Sequence, residues 1–538
     1  MQLAEFLKQT NGRDLVEPFA DRLHTFVHRQ RWFGGKARTI HHVAVHDAAI
    51  WQFGENALLF VLCRYVYADG VEYYNVPLFL GWWDTLGSTV EQAIAGIEVD
   101  GRELLVLDAL ELVEGRRLLA EFLLQTATQD RIRGKLTMAG QSIRERIHPD
   151  DSRVLEVEQS NSSAVYKAAD GRRALLKLYR RVPPGPNPEL EIGEFLTEHA
   201  ALPNVPRLFG ALEYLPEGGG EPWTLAVLQE FVDNQGDAWS HLLEILHQEL
   251  ADGGPPVGTS TMSGLRWSAL SRTSPPEELV HRHRRSLQLS AEIGRCTAAL
   301  HRALADATEW PSLAPEPVDA AYLEQLARRI NQQVEQVLGY LDAAAHLVPE
   351  SHRNLIETVR TGLPRVAGSF RAPAGAESIP HVRRIRVHGD YHLGQVLIDR
   401  DGGLVVIDFE GEPARSLQER RSRELVFKDV AGMLRSFDYA AHTVALGARH
   451  GIDEPWSSWI RAWCAAACGA FLSAYNQSVV DVGLVPTSDP WYDRMLNAFV
   501  LEKACYEVMY ELNNRPDWVI IPLKGIEALV KSEWSEPS

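Results

Sequence analysis

An α+β fold in more than one part is what this chain predicts, on three observations. The stretch "RVLEVEQSNSSAVYKAADGRRALLKLYR" (153–180) reads as strand, turn, strand, turn, strand, with Asp170-Gly171 as a hairpin signal. Beyond residue 232 the pattern is helical almost to the end. The exception is "RVHGDYHLGQVLIDRDGGLVVIDFEGEP" (386–413), a hairpin that turns at Asp401-Gly402. A separate small α+β module comes first: helix-like residues and "RQRWFGGKAR" (29–38), then "HHVAVHDAAIWQF" (41–53) and "ALLFVLCRYVYADGVEYYNVPLFL" (57–80).

In order, residues 1–95 form this module and residues 96–235 a β-rich part, with 107–140 read as linking helices. Residues 236–538 form a helical part. In "RVPPGPNPEL" (181–190) Asn187 serves as N-cap and Pro188 opens the next helix. "WTLAVLQEFV" (223–232) is the last strand of the β-rich part, and the Gly/Pro/Ser/Thr-rich residues 250–280 are expected to be a surface insertion.

The 538 residues are too many for one core. A net charge of −18 argues against nucleic acid as a partner, which needs a basic footprint. No stretch reaches the ~18 apolar residues of a membrane span. The charged start "MQLAEFLKQTNGRDL" has no apolar signal core, so a cytoplasmic location is expected. The five cysteines lack metal-ligand spacing and are read as small core residues.

The order Asp390, Gln395, Asp408 carries the chemistry. A strand lysine followed by Asp…amide…Asp is the layout phosphoryl transfer uses, where catalysis is positioning plus neutralisation of phosphate charge. Asp390 suits the base that accepts a hydroxyl proton. Gln395 and Asp408 offer the oxygen ligands that Mg²⁺ prefers. Turn acids around a hairpin would explain the hairpin but not the preceding His-Gly. Lys177, in the apolar strand "ALLKLYR", is placed on the phosphates of ATP. Glu191 is the chosen orienting carboxylate, with Glu189 and Glu194 as rivals in the same two helical turns. The loop "EQSNSSAVYK" has no glycine; Ser160, Asn161, Ser162 and Ser163 are expected to line an anion-binding concavity with hydroxyls and N–H groups. The backbone from Glu230 to Val232 is expected to meet adenine at the link between the two parts. The cofactors are thus ATP and Mg²⁺.

These residues resemble the aminoglycoside-phosphotransferase-like kinases, relatives of protein kinases. "HGDYHLGQ" is similar to their His-Gly-Asp-x-His…Asn pattern, with Gln395 for the asparagine, and "DFEGE" to their metal-binding segment. Among them the chain resembles the maltokinase group, through "RQRWFGGKAR", "LLKLYRR", "QEFVDNQGDAW", "DFEGEPARSLQERR", "KDVAGMLRSFDYAA" and "EKACYEVMYELNNRPDW". The resemblance implies a bilobal protein-kinase-like fold with an N-terminal cap. It implies ATP-dependent phosphorylation of maltose at its anomeric hydroxyl, feeding α-glucan synthesis from trehalose, and trehalose synthase as a partner or fusion. Tyr391 stands where that group usually has leucine.

On a helix, Lys503, Tyr506, Glu507 and Tyr510 fall at i, i+3, i+4 and i+7, one face with aromatic surfaces and polar heads suited to a disaccharide. The alternative is a packed tyrosine-rich helix with snorkelling charges. The resemblance carries maltose contacts onto Lys503, Tyr506 and Tyr510. Arg415, Arg420 and Arg421 either order the loop after Asp408 or form a solvated basic face. Trp32 and Phe33 are read as core anchors. Two other functions remain open at this point: a kinase of the same fold acting on glucosamine or another acceptor, and a non-catalytic kinase-like module. Intact Lys177, Asp390, Gln395 and Asp408 argue against the module.

Overall fold

The segment "ALLFVLC" is apolar at every position because both faces of its strand are covered. In the computed structural model Leu58, Phe60 and Leu62 enter one core with Phe122 and Leu178. Ala57, Leu59, Val61 and Cys63 enter another with Leu23 and Val27. Period-two alternation thus sorts one strand between two cores. The structure describes residues 3–86, 93–144, 146–155, 160–251, 262–343, 353–370, 381–448, 454–486 and 488–531.

The described chain divides into two units, Met1–Val232 and Asp233–Ser538. Unit one holds two antiparallel sheets. The first orders β1 (Ile40–Phe53), β2 (Asn56–Tyr67), β3 (Gly70–Trp82), β4 (Ala95–Val99) and β5 (Arg102–Asp108) as β1-β2-β3-β5-β4. The β2–β3 turn is Ala68-Asp69, and Gly70, the first residue of β3, takes φ +152°. The expected module boundary at residue 95 is corrected: it falls at the first residue of β4, and β5 completes the sheet through pairing with β3.

The second sheet orders β6 (Thr128–Gln129), β7 (Ile132–Leu136), β8 (Ile147–Leu155), β9 (Asn161–Ala168), β10 (Arg173–Tyr179), β11 (Leu208–Tyr214) and β12 (Trp223–Glu230) as β6-β7-β11-β12-β10-β9-β8. The all-helical reading of 107–140 is therefore corrected in part. A helix does run Val113–Leu124, but β7 follows and pairs with β11. Gly134 lets β7 approach that helix, since a Cβ there would lie 2.9 Å from the Phe122 carbonyl oxygen. Asn75 ties the two sheets together: its N–H donates to the Arg180 carbonyl at 2.8 Å, and its side chain to the Tyr179 and Leu225 carbonyls.

Unit two is helical around two small sheets. One joins β13 (Asn234–Asp237) to the hairpin of β16 (Val396–Asp399) and β17 (Leu404–Val406). The other pairs β14 (Glu316–Pro317) with β15 (Arg383–Arg384). Of the expected surface insertion, 252–261 lies outside the described residues. The rest is not all surface: Met262 and Leu270 are buried, and the backbone and hydroxyl of Ser268 both donate to Asp493. Among the described residues, no helix is long and apolar enough to cross a membrane.

Candidate active site

In unit one, alternation along β10 puts Lys177 and Tyr179 on one face, and Ser163 of β9 is Lys177's direct partner across the ladder. Lys177 is buried, and its ammonium donates to Glu189 Oε2 at 2.8 Å, as does the Tyr179 hydroxyl at 2.7 Å. Glu189 arrives there because Asn187 caps the helix Pro188–Glu198, accepting from the Glu189 N–H. Glu191 as the orienting carboxylate is therefore corrected to Glu189. The two are about 200° apart around the helix, so the first turn can present only one of them to Lys177. Glu194 pairs with Lys135 instead.

The glycine-free loop is shorter than expected. Asn161, Ser162 and Ser163 already belong to β9, in register with Tyr179, Leu178 and Lys177. The Ser163 hydroxyl is buried without a hydrogen-bond partner among the described residues, and Ser162 Oγ accepts from Arg180 Nε at 2.8 Å. Ser160 alone of the four precedes the strand; Glu158 and Gln159 lie outside the described residues. Arg180 is itself clamped, with Nη2 2.8 Å from Asp108 Oδ2, both side chains buried, and its guanidinium 4.8 Å over the Trp32 ring. Trp32 thus packs on a cation, while Phe33 is a buried core residue. At the end of β12, the N–H of Glu230 donates to the Arg207 carbonyl and that of Phe231 to the Arg173 carbonyl. Those two N–H donors are committed, so an adenine contact by the backbone from Glu230 to Val232 would rest on its other groups. Val232 is the last residue of the unit.

In unit two, the helix Phe427–Ala448 builds the loop that carries Asp390. Asp429, Gly432 and Ser436 share one face. Asp429 accepts from the N–H groups of His388 and Gly389, both at 2.8 Å. Gly432 is pressed against Tyr391, whose carbonyl oxygen would be 2.4 Å from a Cβ. Ser436 Oγ accepts from the Leu393 N–H. His301 Nε2 donates to Asp429 while its Nδ1 accepts from the Tyr475 hydroxyl. Burial alone would raise the Asp429 carboxyl; His301 and the loop N–H groups hold it below its usual value. His388 Nε2 donates to the Ile407 carbonyl, so Nδ1 is left to accept from the Asp390 N–H. Tyr391 is buried, with its hydroxyl accepting from Thr297.

The hairpin returns Asp408 to Gln395, whose amide donates to Asp408 Oδ2 at 3.1 Å. Asp408 has φ +68°, a left-handed backbone uncommon in residues other than glycine, though aspartate adopts it more readily than most. The carboxylate oxygens of Asp408 and Glu410 come within 4.8 Å of each other. Two carboxylates and an amide make an oxygen donor set that fits a hard divalent cation.

Lys503 donates to Asp390 Oδ1 at 3.0 Å and to Glu412 Oε1 at 3.1 Å. Glu412 also meets Arg415 at 2.6 Å, Arg415 meets Glu502 at 2.9 Å, and Glu502 meets Arg329 at 2.7 Å. Burial pushes the Glu412 carboxyl up, but Lys503, Lys428 and Arg415 hold it down at about 2. Arg415 and Arg420 therefore order the loop after Asp408, Arg420 through the Glu410 carbonyl.

On the helix Asp489–Asn514, Lys503 lies 4.9 Å over the Tyr506 ring, and Tyr506 stacks on Tyr510, which is exposed. Glu507 is corrected away from the sugar face. It is buried against Arg435, 2.7 Å away, as one half of a structural ion pair. Sequence reasoning missed Asp429, Glu410, Glu412 and His301. Asp429, Glu410 and Glu412 lay inside quoted stretches, but nothing in their spacing reveals which acids point at the loop.

Two family models match. One is the phosphotransferase enzyme family, over residues 153–411; the other is the maltokinase N-terminal cap domain, over 26–111. A glucosamine kinase of Streptacidiphilus jiangxiensis is 29% identical over 43% of this chain and 47% of its own length. One of Mycolicibacterium smegmatis is 27% identical over 44% and 52%. The chain thus spans about half the length of these curated relatives. A solved glucosamine kinase in complex with glucosamine, ADP and inorganic phosphate aligns over 91% of this chain and 94% of its own, with TM-score 0.59 and 21% identity. That likeness establishes the fold, and the kinase-like architecture with an N-terminal cap is borne out. The chain thus carries a phosphotransferase-family domain behind a maltokinase-type cap.

Proposed function

We propose that this chain is a sugar kinase that transfers the γ-phosphoryl group of ATP to the anomeric hydroxyl of maltose. One observation carries the choice of acceptor: a maltokinase N-terminal cap (26–111) stands before the phosphotransferase domain. The residues support phosphoryl transfer. Lys177, held by Glu189, supplies a buried positive charge for nucleotide phosphates. Asp408 and Gln395, with Glu410 beside them, would hold Mg²⁺, which when bound neutralises phosphate charge. Asp390 accepts the proton of the attacking hydroxyl. Tyr506 and Tyr510 offer ring faces to the sugar, and Lys503 a polar head. The proposal extends, through the resemblance, to maltose 1-phosphate as a precursor of α-glucan and to trehalose synthase as a working partner.

The names of the two curated relatives favour a second reading, glucosamine as acceptor. ADP release with Mg²⁺ against maltose, glucose, glucosamine, trehalose and kanamycin separates them. Maltose is expected to give the highest kcat/KM. A higher value with glucosamine would overturn the maltose reading and leave the kinase assignment standing.

A further inference from the structure

Asp390 and Glu412 are bridged by a single ammonium, that of Lys503. Glu412 has a second cation in Arg415. For Asp390, Lys503 is the one hydrogen-bonded cation among the described residues. An ammonium has three N–H donors. Two are committed to these carboxylates, and the third has no hydrogen-bond partner among the described residues. Lys503 stands one helical turn before Tyr506, with its charge over that ring.

This arrangement bears on the acceptor. A sugar hydroxyl can accept the third N–H; an ammonium on the sugar cannot, because it has donors and no lone pair. A cationic sugar would also meet the charge of Lys503 at the carboxylate it would otherwise seek. We infer that Lys503 is a specificity-determining residue: it supplies the cation of the acceptor site from the protein itself, so that the site takes neutral sugars and rejects those bearing an ammonium. The inference rests on reading Asp390 as the acceptor's base, and it deepens the proposed function by naming a substrate class.

Glucose and glucosamine form the matched pair for the test, since they differ at one substituent. The readout is the ratio of their kcat/KM values. In the wild type the ratio should favour glucose. Lys503→Met keeps the apolar stem and removes the charge; it should lower glucose turnover and move the ratio toward glucosamine by about tenfold, the scale of removing one like-charge contact. Lys503→Arg should restore most of the wild-type ratio. A second measurement needs no variant. As pH rises through the titration of glucosamine's amine, its relative kcat/KM should climb toward that of glucose. Asp390, Glu412, Glu507 and Tyr506, which face Lys503, are common to both sugars, so the comparison isolates the amine. An unchanged ratio in Lys503→Met, or one flat with pH in the wild type, would overturn the inference. The ranking of maltose against glucose and trehalose separately tests the maltose reading, so the two fail in different data.

Discussion

Lys177 Nζ lies 2.8 Å from Glu189 Oε2, and both side chains are almost wholly buried. A buried lysine whose carboxylate is removed keeps an uncompensated charge, which typically costs about 3–5 kcal/mol. Glu189→Gln should therefore lower the thermal midpoint and reduce turnover by about 10²-fold, because the ammonium no longer has a fixed position for phosphate. Glu191→Gln should leave turnover within about twofold of the wild type, since Glu189 and not Glu191 meets Lys177. Steady-state ADP release and a melting curve on both variants check the pair.

Arg180 joins the cap sheet to the strand that carries Ser162. Its guanidinium meets Asp108 of β5 at 2.8 Å and Ser162 Oγ at 2.8 Å. Asp108→Ala leaves Arg180 charged and buried, and a loss of about 3–5 kcal/mol is expected. The double variant Asp108→Leu/Arg180→Met should recover much of it, since it buries no charge. Denaturant unfolding of the three proteins reads this directly; equal losses in single and double variants would show that the pair contributes nothing specific.

How much of this was legible beforehand depends on the range of the interaction. Lys177, Asp390, Gln395 and Asp408 stood out because local pattern places them: an apolar strand for one, a loop and hairpin for the others. Glu189 and Glu191 differ only in rotation about one helix, and which one faces Lys177 was set by a capping geometry at Asn187. The β-strand Ile132–Leu136 was hidden because its pairing with β11 is contact across some 80 positions, with a helix on either side of it in sequence. Glu507 looked like a sugar ligand by helical spacing. Its partner, Arg435, lies on another helix, and no period in the sequence announces that pair.

Asp429 anchors the loop that carries Asp390. Asp429→Asn keeps the shape but replaces one acceptor oxygen with a donor facing the N–H groups of His388 and Gly389, and a loss of about 1–3 kcal/mol is expected. Its carboxyl is held below the usual 3.8 in the folded protein. The sign follows: its contribution is fully present above pH 3.8 and is lost as pH falls through the lower folded value. The stability gap between the wild type and Asp429→Asn should therefore narrow as pH drops below 3.8. A gap that widened with acid would contradict the anchoring role.

The central claim, that Asp390 takes the acceptor's proton while Asp408 serves the metal, is tested most directly by Asp390→Asn and Asp408→Asn side by side. Each is assayed for maltose-dependent ADP release and titrated calorimetrically with Mg²⁺ and a non-hydrolysable ATP analogue. Loss of a general base typically costs roughly 10²–10⁴-fold in rate. Asp390→Asn should show that loss and still bind the Mg²⁺–nucleotide pair with near-native affinity. Asp408→Asn should lose turnover together with Mg²⁺-dependent nucleotide affinity. Equal loss of nucleotide affinity in the two variants, or an Asp390→Asn protein with undiminished turnover, would contradict the account.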